Sequence, residues 1–102
     1  MEILTGQTVY ENVASFDILN NPISGATFDA QIYKDGALTS EVTITERLSD
    51  AQRGIFTFSW SASSYADYQL YIKNNTTSVV YMSDVYKVVA EEDKDFNVYV
   101  GI

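Results

Sequence analysis

The stretch that most constrains this chain is Gly54-Ile55-Phe56-Thr57-Phe58-Ser59-Trp60, followed after a short break by Tyr68-Gln69-Leu70-Tyr71-Ile72-Lys73. Successive side chains of a β-strand point to opposite faces. Phe56, Phe58 and Trp60 therefore share one face, with Thr57 and Ser59 on the other. The second run places Tyr68, Leu70 and Ile72 on one side and Gln69, Tyr71 and Lys73 opposite. Three large aromatics in register concentrate more buriable area than any other part of the chain, and aromatic burial dominates core energetics. The pair is expected to form the central hairpin of a β-sandwich.

The remaining segments read as further short strands. Thr8 to Tyr10 suits a first strand, and Ala14, Phe16 and Ile18 alternate with Ser15 and Asp17 as a half-buried strand. That strand is expected to stop at Asn20-Asn21-Pro22, where proline removes a backbone donor. Phe28, Ala30 and Ile32 then point inward, with Asp29, Gln31 and Tyr33 outward, before a hairpin turn at Lys34-Asp35-Gly36. Glu41 to Thr45 is rich in β-branched residues, with Val42 and Ile44 facing in. Leu48 to Arg53 reads as a polar connection with room for one helical turn, and Asn74 to Thr77 as a turn. Ser78 to Val89 is expected to be one long strand, but its apolar residues do not keep one phase, which predicts a bulge near Ser83-Asp84.

The end of the chain differs in kind. Glu91-Glu92-Asp93-Lys94-Asp95 is a charged connector, after which Phe96, Val98, Val100 and Ile102 alternate with Asn97 and Tyr99. Such a strand either closes its own sheet or pairs with a neighbouring subunit's edge, and the swapped arrangement is expected. The domain limits are thus 1–90 for the sandwich and 91–102 for the connector and C-terminal strand. No window shows sustained helical periodicity. Seven or eight short strands, with a turn signal roughly every 8–12 residues, predict an all-β fold: one antiparallel β-sandwich. Its expected core is Phe16, Ile18, Phe28, Ile32, Ile44, Phe56, Phe58, Tyr68, Leu70 and Ile72, with Trp60 near one end.

Two local patterns sharpen the fold. Ser64-Tyr65-Ala66-Asp67-Tyr68 is the setting of a tyrosine corner, whose phenolic hydroxyl bonds back to backbone. Asn21-Pro22-Ile23-Ser24-Gly25-Ala26-Thr27-Phe28, taken with Gly54-Ile55-Phe56-Thr57-Phe58, resembles the "Pro-Ile-x-Gly-Ala" entry and the later "Gly-x-aromatic-x-aromatic" strand of Ig-like, carboxypeptidase-regulatory-like (prealbumin-type) sandwich domains. The resemblance spans about Val13 to Lys73, and modules of this group are frequent in tailed-bacteriophage virion proteins. Asp67 stands where many such domains carry glycine, and the paired cysteines of antibody domains are missing.

Composition narrows the chemistry. Histidine and cysteine are absent, which removes the commonest general base at neutral pH, the best nucleophile, disulfides and thiolate metal sites. The formal charge of −8, with only six scattered basic residues, excludes a partner recognised through its phosphate backbone. The first residues show neither a basic region nor an apolar run, so no signal peptide is read there, and no segment approaches the roughly 20 apolar residues of a membrane helix. Paired carboxylates could serve a glycosidase, yet most acids fall at outward or turn positions. Glu91, Glu92, Asp93 and Asp95 lack the spacing of a Ca²⁺ loop and read as a charged linker. The sequons in Asn74-Asn75-Thr76-Thr77 read as turn residues.

The expected role is therefore non-enzymatic, with no cofactor, no catalytic residue and no metal site. Among eight tyrosines, Tyr33 and Tyr71 fall on outward faces, where an interface role and ordinary strand preference stand level. The expected interface residues are Tyr33, Tyr71, Phe96, Val98, Tyr99, Val100 and Ile102. The resemblance implies a structural subunit of a tailed phage particle, made in the host cytoplasm and located in the virion. It would be a head decoration, neck or tail accessory part, joined to copies of itself and to other virion proteins, without nucleic-acid or membrane partners. The alternative is a carbohydrate-binding adsorption module with a cell-surface glycan as partner.

Overall fold

Strands with one wholly apolar face must bury that face against another layer, and this requirement organises the molecule. The computed structural model of the protein describes residues 1–90. The strands are β1 (Glu2–Leu4), β2 (Thr8–Ala14), β3 (Phe28–Lys34), β4 (Ala37–Thr39), β5 (Thr45–Asp50), β6 (Ile55–Ser61), β7 (Asp67–Asn74), β8 (Val80–Met82) and β9 (Tyr86–Val89), with one 3-10 turn at Ala51–Arg53. They form two sheets. The larger has the order β1-β9-β7-β3-β4, with β8 also paired to β7, and the smaller is β2-β6-β5. Pairing is antiparallel except between β1 and β9. The connector and the C-terminal strand, with Phe96, Val98, Tyr99, Val100 and Ile102, lie outside the described residues.

The expected all-β sandwich is present, but its centre is not a hairpin. β6 pairs with β2 and β5, whereas β7 pairs with β3, β8 and β9 in the other sheet. Phe56, Phe58 and Trp60 therefore face Tyr68, Leu70 and Ile72 across the interlayer, and all six are buried. The physical reason is that a hairpin would put both apolar faces on one side of one sheet, still needing a cover. Facing each other, the two strands cover themselves. Phe28 contacts Phe56 and Phe58 with ring centroids 4.8 and 5.3 Å apart, and Trp60 lies 5.5 Å from Tyr68 and 5.7 Å from Tyr86.

The short link between β6 and β7 turns the chain from one sheet to the other. There Tyr68 Oη donates to the Ser64 carbonyl at 3.5 Å, which is the expected tyrosine corner. Asp67 has a backbone role of its own: its N–H donates to Asp35 Oδ1 at 2.9 Å, and its carbonyl accepts from the Asp35 N–H at 2.7 Å. The β3–β4 turn is thereby fastened to the start of β7. In that turn Asp35 and Gly36 have φ of 50° and 83°, the left-handed conformation expected from Lys34-Asp35-Gly36.

Several expectations fail in an instructive way. The segment after Thr8 keeps one strand to Ala14, and its inward residues are Val9, Glu11 and Val13, followed by buried Ser15. The opposite phase was expected, with Phe16 and Ile18 inward. Phe16 instead is 40% exposed and Ile18 fully exposed, so neither belongs to the core. Glu11 and Ser15 are polar, so the buried phase looks outward in sequence, and a shift of one residue exchanges the faces. Glu41 to Ile44 is not a strand, though Val42 and Ile44 still pack against the core, and pairing begins at Thr45 and runs through the supposed polar connection to Asp50. Ser78 to Val89 divides into β8 and β9 at the expected position. At the break Ser83 Oγ accepts the Leu70 N–H at 2.8 Å, and the Ser83 N–H donates to the Leu70 carbonyl at 2.9 Å. Ile3, Val9, Ala26, Ala62, Tyr86, Val88 and Val89 complete the core.

Candidate docking surface

Two polar ties cross between the sheets, and both are structural. Asn74, at the end of β7, donates from Nδ2 to Ser15 Oγ at 2.7 Å, and its Oδ1 accepts the N–H groups of Thr76 and Thr77 at 2.9 and 3.2 Å. The first sequon asparagine is thus a buried turn-former. The second tie is Glu11, which accepts from Tyr81 Oη at 2.8 Å through one carboxylate oxygen and from Tyr86 Oη through the other. Burial, followed by the Glu11 hydrogen bond, pushes the Tyr81 phenol up to about 12 and raises that of Tyr86 as well. Both phenols therefore stay neutral donors, and Glu11 is occupied as an acceptor. Among the described residues, no three acidic side chains converge on a common point.

The outward faces are more informative. Tyr33 on β3 and Tyr71 on β7 meet on the outer face of the larger sheet, with centroids 6.4 Å apart and planes at 76°. Register places exposed Leu38 opposite Tyr33, and exposed Met82 opposite Tyr71. The two expected interface tyrosines are thus brought together beside aliphatic side chains. Beyond Tyr33, a groove of about 410 Å³ is bordered by Asp35, Asp67, Gln69 and Val85.

A second surface had no signal in the alternation, which puts two of its residues, Phe16 and Ile18, inside. Phe16 bridges to Pro22 across a tight loop. Asp17 Oδ1 accepts the N–H groups of both Leu19 and Asn21 at 2.9 Å, the Asp17 N–H donates to the Asn21 carbonyl at 2.9 Å, and Asn20 adopts φ of 65°. An Asp side chain that bonds its own following backbone stabilises such a turn. The loop holds Ile18 and Leu19 in solvent, and together with Phe16, Ile23 and Val79 they line an apolar groove of about 510 Å³. Turn residues at 20–22 were legible in the sequence. That Asp17 would organise a loop and turn its neighbours outward was not.

The architecture compares directly with solved structures. The Lin-41 filamin domain superposes with a TM-score of 0.59 at 21% identity, over 86% of this chain and 82% of that one. The fold is an Ig-like β-sandwich. S-layer protein SbsC domains 4 and 5 match with a TM-score of 0.55 at 19% identity, over 88% of this chain and 47% of that one. No family model and no curated protein matches the sequence. For this Ig-like chain, the described residues contain no helix long and apolar enough to cross a membrane.

Proposed function

We propose that this chain is a non-enzymatic structural module that works by self-association and docking. Its setting would be the particle of a tailed phage, as a head decoration, neck or tail accessory subunit assembled in the host cytoplasm. The observation that carries the reading is the end loop, whose backbone is fastened so that Ile18 and Leu19 stand outside the fold beside Phe16 and Val79. Apolar side chains held out by a structured loop are typical of an interaction surface. The absence of histidine and cysteine and the engagement of Glu11 by two tyrosines agree with a role without catalysis. Native mass spectrometry of the full chain across a concentration series tests it. Concentration-dependent species above the monomer mass are expected, and a strict monomer throughout would remove the reading.

A carbohydrate-binding adsorption module is the second reading. Tyr33 borders a groove with Asp35, Asp67 and Gln69, a ring flanked by hydrogen-bonding groups. Sugar rings stack on open aromatic faces, however, and the Tyr33–Tyr71 pair is set edge to face. Saturable retention on a glycan array, lost in Tyr33→Ala, would promote this reading over the first.

A further inference from the structure

We propose that the apolar groove at the Asn74 end of the sandwich accepts residues 96–102 of a second copy of this chain, so that copies join head to tail. The inference rests on the self-association reading and names the two surfaces that carry it. The acceptor is lined by Phe16, Ile18, Leu19, Ile23 and Val79, with Asp17, Thr76 and Thr77 at its polar margin. Because hydrogen bonds to Asp17 already hold its loop wall, little ordering is required on that side when a ligand arrives. Val79 in the groove wall immediately precedes β8, which pairs with β7 on one edge and has no partner on the other among the described residues. An extended segment entering there would find free backbone groups together with the exposed side chains of Val80 and Met82.

The occupant follows from sequence and reach. Residues 96–102 are apolar at every second position (Phe96, Val98, Val100, Ile102), so in extended form all four side chains face one way. β9 runs away from the groove: Lys87 lies opposite Asp67, and the Val88 N–H reaches the Ala66 carbonyl. Val79 sits level with Asn74, to which its carbonyl is bonded. From Val89 back to that level is about 30 Å at about 3.3 Å per strand residue, besides the residues spent on reversing direction. Spanning that distance within one molecule would use about nine residues beyond Val89 at about 3.3 Å each, Phe96 and Val98 among them. A neighbour's segment would not have to cross that span, which would leave Phe96 and Val98 free to dock as well. Val89, from which the donor segment continues, and the groove lie at opposite ends of each copy, so the proposed contact is heterologous and would build rings or filaments rather than a twofold dimer.

Two variants of the 102-residue chain test this. The first, Val98→Asp with Val100→Asp, removes the donor. The second, Ile18→Asp with Leu19→Asp, removes the acceptor at exposed positions, and unchanged circular dichroism and melting would confirm that both remain folded. In sedimentation velocity the parent chain should form species larger than a dimer, and each variant alone should be monomeric. An equimolar mixture should yield a one-to-one heterodimer and nothing larger, because one donor and one acceptor remain. If the Ile18/Leu19 variant assembles like the parent, the groove is not the acceptor, although self-association stands. If both variants are monomeric and their mixture is too, the head-to-tail contact is overturned. A parent chain monomeric at every concentration would overturn both readings together.

Discussion

The two ends of the interlayer solve one problem in different ways. At the Asn74 end, Phe28, Phe56 and Phe58 pack as plain hydrocarbon rings, and the polar contribution is a neutral, fully bonded pair, Ser15 with Asn74. At the Trp60 end, each aromatic brings a polar tip. Tyr86 gives its hydroxyl to the Glu11 carboxylate, Tyr68 reaches the Ser64 carbonyl only at 3.5 Å, and the buried Trp60 Nε1 finds no acceptor among the described residues. Since an unmet buried donor costs desolvation energy while a satisfied pair adds little, the first end should hold tighter than the second. The difference teaches that aromatic content alone does not measure how firmly a region is held. The partners of its polar atoms matter as much.

Four measurements would break or sharpen this contrast. The largest effect is expected for Phe58→Ala, which empties the hydrocarbon end and should cost about 3–5 kcal/mol in denaturant unfolding, a large part of the roughly 5–15 kcal/mol of a whole domain. A melting point within a few degrees of the parent would show that this end is not the firmer one. Gly54→Ala comes next. Gly54 has φ of 71°, and a Cβ there would overlap the Ser15 carbonyl oxygen, so strain of about 1–3 kcal/mol adds to a backbone clash at the loop behind the groove. Gly36→Ala, with φ of 83° and no atom within 4 Å, is the control and should cost less.

Removing a tie from each end gives the direct comparison. Asn74→Ala strands Ser15 and two turn N–H groups and should cost about 1–3 kcal/mol. Glu11→Gln keeps an acceptor for one of its two tyrosines and should cost less, so equal losses would erase the distinction. The smallest effect is a pH dependence of the Glu11 tie, through Tyr81. The folded Tyr81 phenol is pushed up to about 12 from its ordinary 10.0, so the folded state holds its proton where the unfolded chain has lost it. That stabilisation is complete below about pH 10 and is lost as pH rises toward about 12. Stability should therefore fall across this window in urea melts, and fall less steeply in Tyr81→Phe. A slope unchanged by Tyr81→Phe would locate the alkaline response elsewhere.

Much of the fold was legible because strand period is strict. The alternation in Phe56–Trp60, Tyr68–Ile72 and Phe28–Ile32 marked the buried faces correctly, and Asp35-Gly36 marked its turn through positive φ. The phase break near Ser83 separated β8 from β9, where a serine hydroxyl replaces a ladder partner. Of the expected docking residues, Tyr33 and Tyr71 were placed outward by the same rule and do meet. The apolarity of Phe16 and Ile18 points inside, yet both belong to the exposed groove.

The sequence by itself determined which residues alternate, where the chain turns, and that no imidazole or thiol chemistry is available, since these are local or compositional properties. Only the tertiary structure decided that β6 and β7 oppose each other across two sheets rather than pairing in one. It also decided that Glu11 and Ser15 take the inward phase. The reason is that a polar residue earns burial only through a partner distant in the chain: Glu11 finds Tyr81 and Tyr86, and Ser15 finds Asn74. No local pattern contains those partners. Once they are in place they reverse the faces of the segment from Val9 to Ser15, and Ile18 is left outside.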